Sequence, residues 1–178
     1  MDLAGRTALH YITRSTNPDI VERIINAATD HNLYLTIRDH WGRTALHYAV
    51  SANNLEVVKR LINKITDVDG FLAIQDKYHE TALHYAVYDE SIEVTKALLL
   101  QSNETQYCIN VADNHGSTPL HKAAAENSRI VASFLLLYGA NPALKDADGN
   151  TAWDIACIPG QEQWEVMTAF ILTDRAIS

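Results

Sequence analysis

Basic residues are scarce in this chain: 14 Lys and Arg stand against 22 Asp and Glu, a formal net charge of −8. A surface that binds phosphate backbones or acidic membranes draws its attraction from clustered Lys and Arg. No basic run occurs, so neither nucleic acid nor a membrane surface is expected as a partner. Long apolar runs are missing as well. Ala97 to Leu100 and Phe134 to Leu137 fall far short of the roughly 20 residues that cross a bilayer. Cysteine is nearly absent. Cys108 and Cys157 alone make neither a disulfide framework nor a four-ligand zinc site, which fits a reducing, intracellular compartment, cytoplasmic or nuclear. Asp2 follows Met1 without a basic segment and an apolar core, so no secretory leader is read. With only 7 Gly, the chain shows no phosphate-binding Gly loop, nucleophile elbow, H-E-x-x-H or paired-carboxylate arrangement. The expectation is a chain that is not an enzyme and needs no cofactor.

What is present is a core-forming composition, 47% hydrophobic against 20% charged over 178 residues, and a repeated word. Thr-Ala-Leu-His-Tyr begins at Thr7, Thr44 and Thr81, becomes Thr-Pro-Leu-His-Lys at Thr118 and Thr-Ala-Trp-Asp-Ile at Thr151. The spacings are 37, 37, 37 and 33 residues, a constancy that defines an internal repeat. A turn precedes each word: Asp2-x-x-Gly5, Asp39-x-x-Gly42, Asp76-x-x-His79, Asp113-x-x-Gly116 and Asp146-x-x-Gly149. Asp and Gly are turn formers, Gly because it accepts positive φ without steric cost. The Thr suits a helix cap, and Pro119 stands where a first helical residue needs no amide donor. A second helix follows, with apolar pairs at Ile20, Val21, Ile24, Ile25 and at Val57, Val58, Leu61, Ile62. Units three and four continue the pattern at Val94, Leu98, Leu99 and at Val131, Leu135, Leu136.

Turn, helix and helix at this period, opened by T-[PA]-L-H, resembles the ankyrin repeat, usually about 33 residues long. The resemblance covers essentially the whole chain as one domain, 1–178, with units 2–38, 39–75, 76–112, 113–145 and 146–178. It implies an all-α solenoid of stacked helix-turn-helix units with protruding β-hairpin or loop fingers, curved so that fingers and first helices line the concave side. Units one to three carry four extra residues each, in Asn26–Arg38, Asn63–Gln75 and Leu100–Ala112. Their apolar residues, among them Leu33, Tyr34, Leu35, Phe71, Leu72, Tyr107 and Ile109, point to packed hairpin arms rather than an exposed ridge. Small residues at Ala49, Ala86, Ala123 and Ala156 would let neighbouring helices approach closely, and Ile12 breaks that series.

The positions that the scaffold leaves free are the candidates for binding. Trp41, Tyr78 and His115 share one register in three consecutive fingers, with His40, Arg43 and Lys77 beside them. Trp, Tyr and Arg are the residues most enriched at binding hot spots, so a partner peptide laid across these fingers is one reading. Burial of the rings against neighbouring fingers is the other. On the first helices Tyr88 is the best anchor, and Asp89, Glu90, Glu93 and Glu126 form an acidic patch that would favour a partner carrying Lys or Arg. The function that follows is non-catalytic binding of a protein or peptide by a monomer. A substrate-targeting segment of a larger enzyme, channel or ubiquitin-ligase adaptor is the alternative, because unit one starts on its turn with no polar cap before it.

Four of the 8 His, namely His10, His47, His84 and His121, are the motif His. The resemblance gives them a structural part, bonded to the turn and the Thr. His40, His79 and His115 lie on adjacent fingers, where adventitious zinc is conceivable, and His79 occupies a turn Gly position that would strain it if φ is positive. Asn110 matches the loop Asn that ankyrin repeats keep before the turn Asp, a residue hydroxylated in some members. In the last unit Trp153-Asp154 replaces Leu-His, Pro159-Gly160 interrupts the helix junction and Trp164, Met167, Phe170 and Ile171 form an altered second helix. Cys157 is expected to be buried and inert.

Overall fold

The computed structural model describes residues 1–15, 17–88, 91–101 and 106–156. In chain order the helices are α1 (Ala8–Ile12), α2 (Pro18–Asn26) and α3 (His31–Leu35), then α4 (Ala45–Ser51), α5 (Leu55–Lys64) and α6 (Val68–Leu72). They continue with α7 (Ala82–Tyr88), α8 (Ile92–Gln101) and α9 (Gln106–Ile109), then α10 (Pro119–Ala125) and α11 (Arg129–Leu137), and end with α12 (Ala152–Ala156). Like packs on like. The first helices form one row, α1 on α4 on α7 on α10 on α12, and the second helices another, α2 on α5 on α8 on α11. This is the all-α repeat solenoid expected from the motif.

Each first helix starts where its Thr stops being extended. Thr7, Thr44 and Thr118 hold β-region dihedrals as N-caps, and the His three residues later sits at N3. Second helices are capped by short polar side chains: Asn17 accepts from the Asp19 amide and Asn54 from the Val57 amide. Between the two helices the chain reverses through Asn53 and Asn127 at φ 49° and 54°, and Asn tolerates that conformation better than most residues. The apolar pairs then face inward. Val21, Ile25, Val57, Val58, Leu61, Ile62, Val94, Leu98, Leu99, Val131, Leu135 and Leu136 are buried, whereas Ile20 stays 39% exposed at the edge. Ala49, Ala86, Ala123 and Ala156 are each fully buried, consistent with close approach of adjacent first helices. Burying each Val, Leu or Ile of these pairs stabilises by about 1.5–3 kcal/mol.

The four-residue extensions differ from the expected hairpin arms. They are packed, but each forms a single turn of helix: α3, α6 and α9. The reason is local. Asp30 accepts from the Leu33 amide and Asp67 from the Gly70 amide, so each Asp satisfies a free donor of a starting helix. The helix then turns its apolar end inward: Leu35 is fully buried, and Phe71, Leu72, Cys108 and Ile109 are buried too, while Leu33 stays exposed. α3 packs on α2 and α5, and α6 on α9. Among the described residues no arm or finger forms a pair of strands. Among the described residues the only β-type pairing is an isolated antiparallel bridge between Lys145 and Thr151.

Candidate interaction surface

Each finger is a five-residue turn closed on its Asp. Asp39 Oδ1 accepts from the Trp41 and Arg43 amides at 2.8 and 2.9 Å, and Asp76 Oδ1 from the Tyr78 and Glu80 amides at 2.8 and 3.0 Å. Asp2, Asp113 and Asp146 repeat the geometry. A backbone ladder then ties finger to finger. His40 donates to the Ala4 carbonyl, Lys77 to that of Trp41, Asn114 to that of Tyr78 and Ala147 to that of His115, at 2.8 to 3.0 Å. Residues before the turn add straps: Arg38 donates to the Gly42 and Gln75 carbonyls, and Gln75 to those of His79 and Ala112. The shared register of Trp41, Tyr78 and His115 is therefore fixed by main-chain bonds, not by their side chains.

The turn glycines meet two demands. Gly42 has φ 77°, and a Cβ there would stand 2.8 Å from the Arg38 guanidinium and 3.1 Å from the Asp76 backbone. In the third finger His79 takes that place at φ 60°, as the sequence suggested, and carries the strain of a left-handed non-Gly residue.

The aromatic column is half in and half out. Trp41 is 37% exposed and Tyr78 54%, and both rings are faced by cations of the scaffold itself. The Arg43 guanidinium lies 4.9 Å from the Trp41 centroid, and the Lys77 ammonium lies 5.9 Å from Trp41 and 4.8 Å from Tyr78. Arg43 is less free than expected. It pairs with Asp39 at 3.1 Å and bonds the Tyr48 hydroxyl. Lys77 makes no ion pair among the described residues. His40 and His115 are exposed, and the His40 ring lies where a Cβ on Gly5 would strike it at 2.9 Å.

Behind the fingers lies a web that the sequence reading missed. The fifth residue of the repeated word reaches back to its own turn: Tyr11 donates to Asp2, Tyr48 to Asp39 and Tyr85 to Asp76. In the fourth unit Lys122 takes over, pairing with Asp113 at 2.7 Å and with Glu80 at 3.4 Å. The signal was in the word itself, whose fifth position carries a side-chain donor, Tyr, Tyr, Tyr and Lys, in each of the first four units. Burial and the Asp39 bond push the Tyr48 hydroxyl up to about 12, and burial and the Asp76 bond raise Tyr85. Burial works to raise Asp39 and Asp113, but the Tyr48 and Lys122 donors and the turn amides outweigh it and hold both carboxylates below their ordinary range. Lys122 moves up: its burial is outweighed by Asp113 and Tyr88. Tyr88, 43% exposed, donates to Glu80 at 3.1 Å under the Lys122 ammonium, so the expected first-helix anchor is held upright.

The motif His residues connect units. His10 Nδ1 accepts from the Thr7 amide at 3.1 Å while Nε2 donates to the Arg43 carbonyl of the next finger. His84 and His121 reach the Ser117 and Asn150 carbonyls in the same way. A carbonyl only accepts, so Nε2 carries the proton and Nδ1 is the acceptor. His47 keeps the Thr44 contact, but its Nε2 stands too loosely against the Glu80 carbonyl to make a full hydrogen bond. Burial pulls His47 and His84 down to about 4 and lowers His10 as well. In the fifth unit the Asp154 carboxylate replaces the imidazole, accepting from the Thr151 amide and hydroxyl at 2.8 and 2.6 Å.

The acidic patch is not assembled by the described residues. Asp89 and Glu90 lie outside them, Glu93 sits on α8 and pairs with Lys96 at 3.1 Å, and Glu126 is exposed at the end of α10. No group of three or more His, Cys, Asp or Glu among the described residues could hold a metal ion. Asn110 bonds the shorter loop of the fourth unit, its Oδ1 accepting from the Asn141 amide at 2.8 Å. Cys108 is buried. Cys157, Pro159-Gly160, Trp164, Met167, Phe170 and Ile171 lie outside the described residues.

No helix among the described residues is long and apolar enough to cross a membrane. No curated protein matches the chain. The family model for ankyrin repeats, in three copies, matches residues 9–111 and 71–146, the same stretch over which the Thr–His caps, the Asp turns and the finger ladder recur. Ankyrin repeats generally mediate protein–protein interaction. The chain belongs to the ankyrin-repeat family.

Proposed function

We propose that this chain is a non-catalytic interaction module, a single monomeric domain 1–178 of five units, working inside the cell. It holds an extended segment of a partner protein across the second to fourth fingers and the adjoining first helices. The observation that supports this most is the aromatic column: Trp41 and Tyr78, 37% and 54% exposed, are set in register by the backbone ladder and steadied by Arg43 and Lys77. Rigid aromatics that need no reordering give contact area at low entropic cost. Tyr88 continues the surface onto α7, with His40, His115 and Glu126 at its margins and Asp89 as its remaining proposed member.

Alanine at Trp41 and Tyr78 together tests the reading. Among the described residues neither side chain makes a hydrogen bond, so the melting temperature should move by only about 1–3 °C while partner binding falls at least tenfold. A collapse in thermal stability would assign the rings to the scaffold instead.

A further inference from the structure

Beside the column, the loops of the first three units enclose an open recess of about 740 Å³ that Arg38, Gln75, Asp76, Lys77 and His79 help to line. Its charge is unlike the rest of the chain. In a protein of net charge −8, this spot gathers a guanidinium, an ammonium and an imidazole around one carboxylate. That carboxylate is spent: Asp76 is buried and takes the Tyr78 and Glu80 amides on one oxygen and the Tyr85 hydroxyl on the other. Arg38 is committed to two carbonyls, which fixes its position without neutralising it. Lys77 has no anionic partner among the described residues and spans the recess and both rings. His79 brings a ring N–H to the same edge from a position where Gly would be free of strain.

We propose that the recess receives carboxylate side chains of the bound segment, so that the preferred partner is an acidic peptide whose Asp or Glu side chains meet Lys77 and His79 while its apolar groups lie on Trp41 and Tyr78. This rests on the finger-column reading and gives it a partner chemistry. Two arguments favour an anion over a cation. The faces of both rings already carry scaffold cations, so an incoming Lys or Arg would meet like charge where cation–π attraction would otherwise draw it. And because screening confines charge effects to about 8 Å at physiological salt, the local cations, rather than the net charge, decide what docks there.

Random seven-residue peptides displayed on phage and panned against the full chain are the probe. Recovered sequences should be rich in Asp and Glu, and a synthetic peptide made from them should bind Lys77→Glu at least tenfold more weakly by fluorescence polarisation, with an unchanged circular-dichroism melt. Enrichment in Lys and Arg, the complement of Glu126 and Asp89, would overturn the proposal, as would acidic peptides indifferent to Lys77→Glu. In either case the column reading survives if Trp41→Ala still removes binding. Peptides indifferent to both Trp41→Ala and Tyr78→Ala, or no recovered sequence at all, would count against that underlying reading itself. Single-stranded DNA or phosphatidylserine vesicles displacing the peptide at lower charge concentration would overturn the assignment to a polypeptide.

Discussion

His79 shows at the level of one residue how a departure from the repeat becomes informative. Its backbone sits at φ 60°, while the equivalent Gly5, Gly42, Gly116 and Gly149 hold φ between 71° and 83°. An L-residue in that region costs about 1–2 kcal/mol, and Gly returns part of the gain through its looser unfolded chain. His79→Gly should therefore stabilise the protein by about 0.5–1 kcal/mol, read as a higher urea midpoint at constant m-value. If the imidazole contributes to the recess, the same variant should bind acidic peptide more weakly. A variant that is less stable would mean that the imidazole holds the finger together. The motif Tyr residues show the opposite case. Their aromatic identity was plain in the sequence, but their role was not, because a Tyr after a buried His reads as amphipathic packing until the turn Asp is seen to fold back onto its hydroxyl.

Elements were legible to the extent that their signals were local. The Thr–His caps, the paired apolar positions and the small residues between first helices follow from contacts within about four residues or from strict repetition, and the described helices agree with them. The extensions did not. Apolar content showed that they pack, but the choice between hairpin and helix turned on Asp30 and Asp67 as N-caps, a signal diluted by the many Asp of an acidic chain. The fingers give a test in which two glycines share a dihedral and differ in surroundings. At Gly149, φ 83°, an added Cβ meets nothing among the described residues within 4 Å; at Gly42, φ 77°, it meets the Arg38 side chain and the Asp76 backbone. Gly149→Ala should cost about 1 kcal/mol from the dihedral alone, and Gly42→Ala about 2–3 kcal/mol because overpacking adds to it. Matched denaturant curves measure both. Equal losses would show that the second and third fingers separate freely, and with them the fixed register on which the column depends.

Across the whole molecule two buried motif His residues, His47 and His84, make stacking depend on pH, since both sit between units as neutral rings and His84 donates to the Ser117 carbonyl of the next finger. Burial holds His47 and His84 at about 4, against about 6.5 for the unfolded chain. Between those values the unfolded state binds the more protons, so stability is fully present above about pH 6.5 and is lost as pH falls toward 4. A shift of that size corresponds to about 3 kcal/mol for each ring, comparable to a large part of the stability of a domain this size. Near pH 5 the two rings should take up slightly under two protons on unfolding, a slope of roughly 2–3 kcal/mol per pH unit. The turn carboxylates, held below their ordinary range, add to the loss only at lower pH, as pH falls below the ordinary carboxylate range of about 4. Urea unfolding at pH 7.5, 6.0 and 5.0 separates the contributions: most of the loss should fall between 6.0 and 5.0. His84→Asn, which removes one titrating ring, should reduce the slope by about half even though it starts from a less stable protein. A profile flat down to pH 4.5 would mean that the imidazoles titrate as freely in the stack as in the unfolded chain, and that the Thr and carbonyl bonds do not depend on the neutral ring.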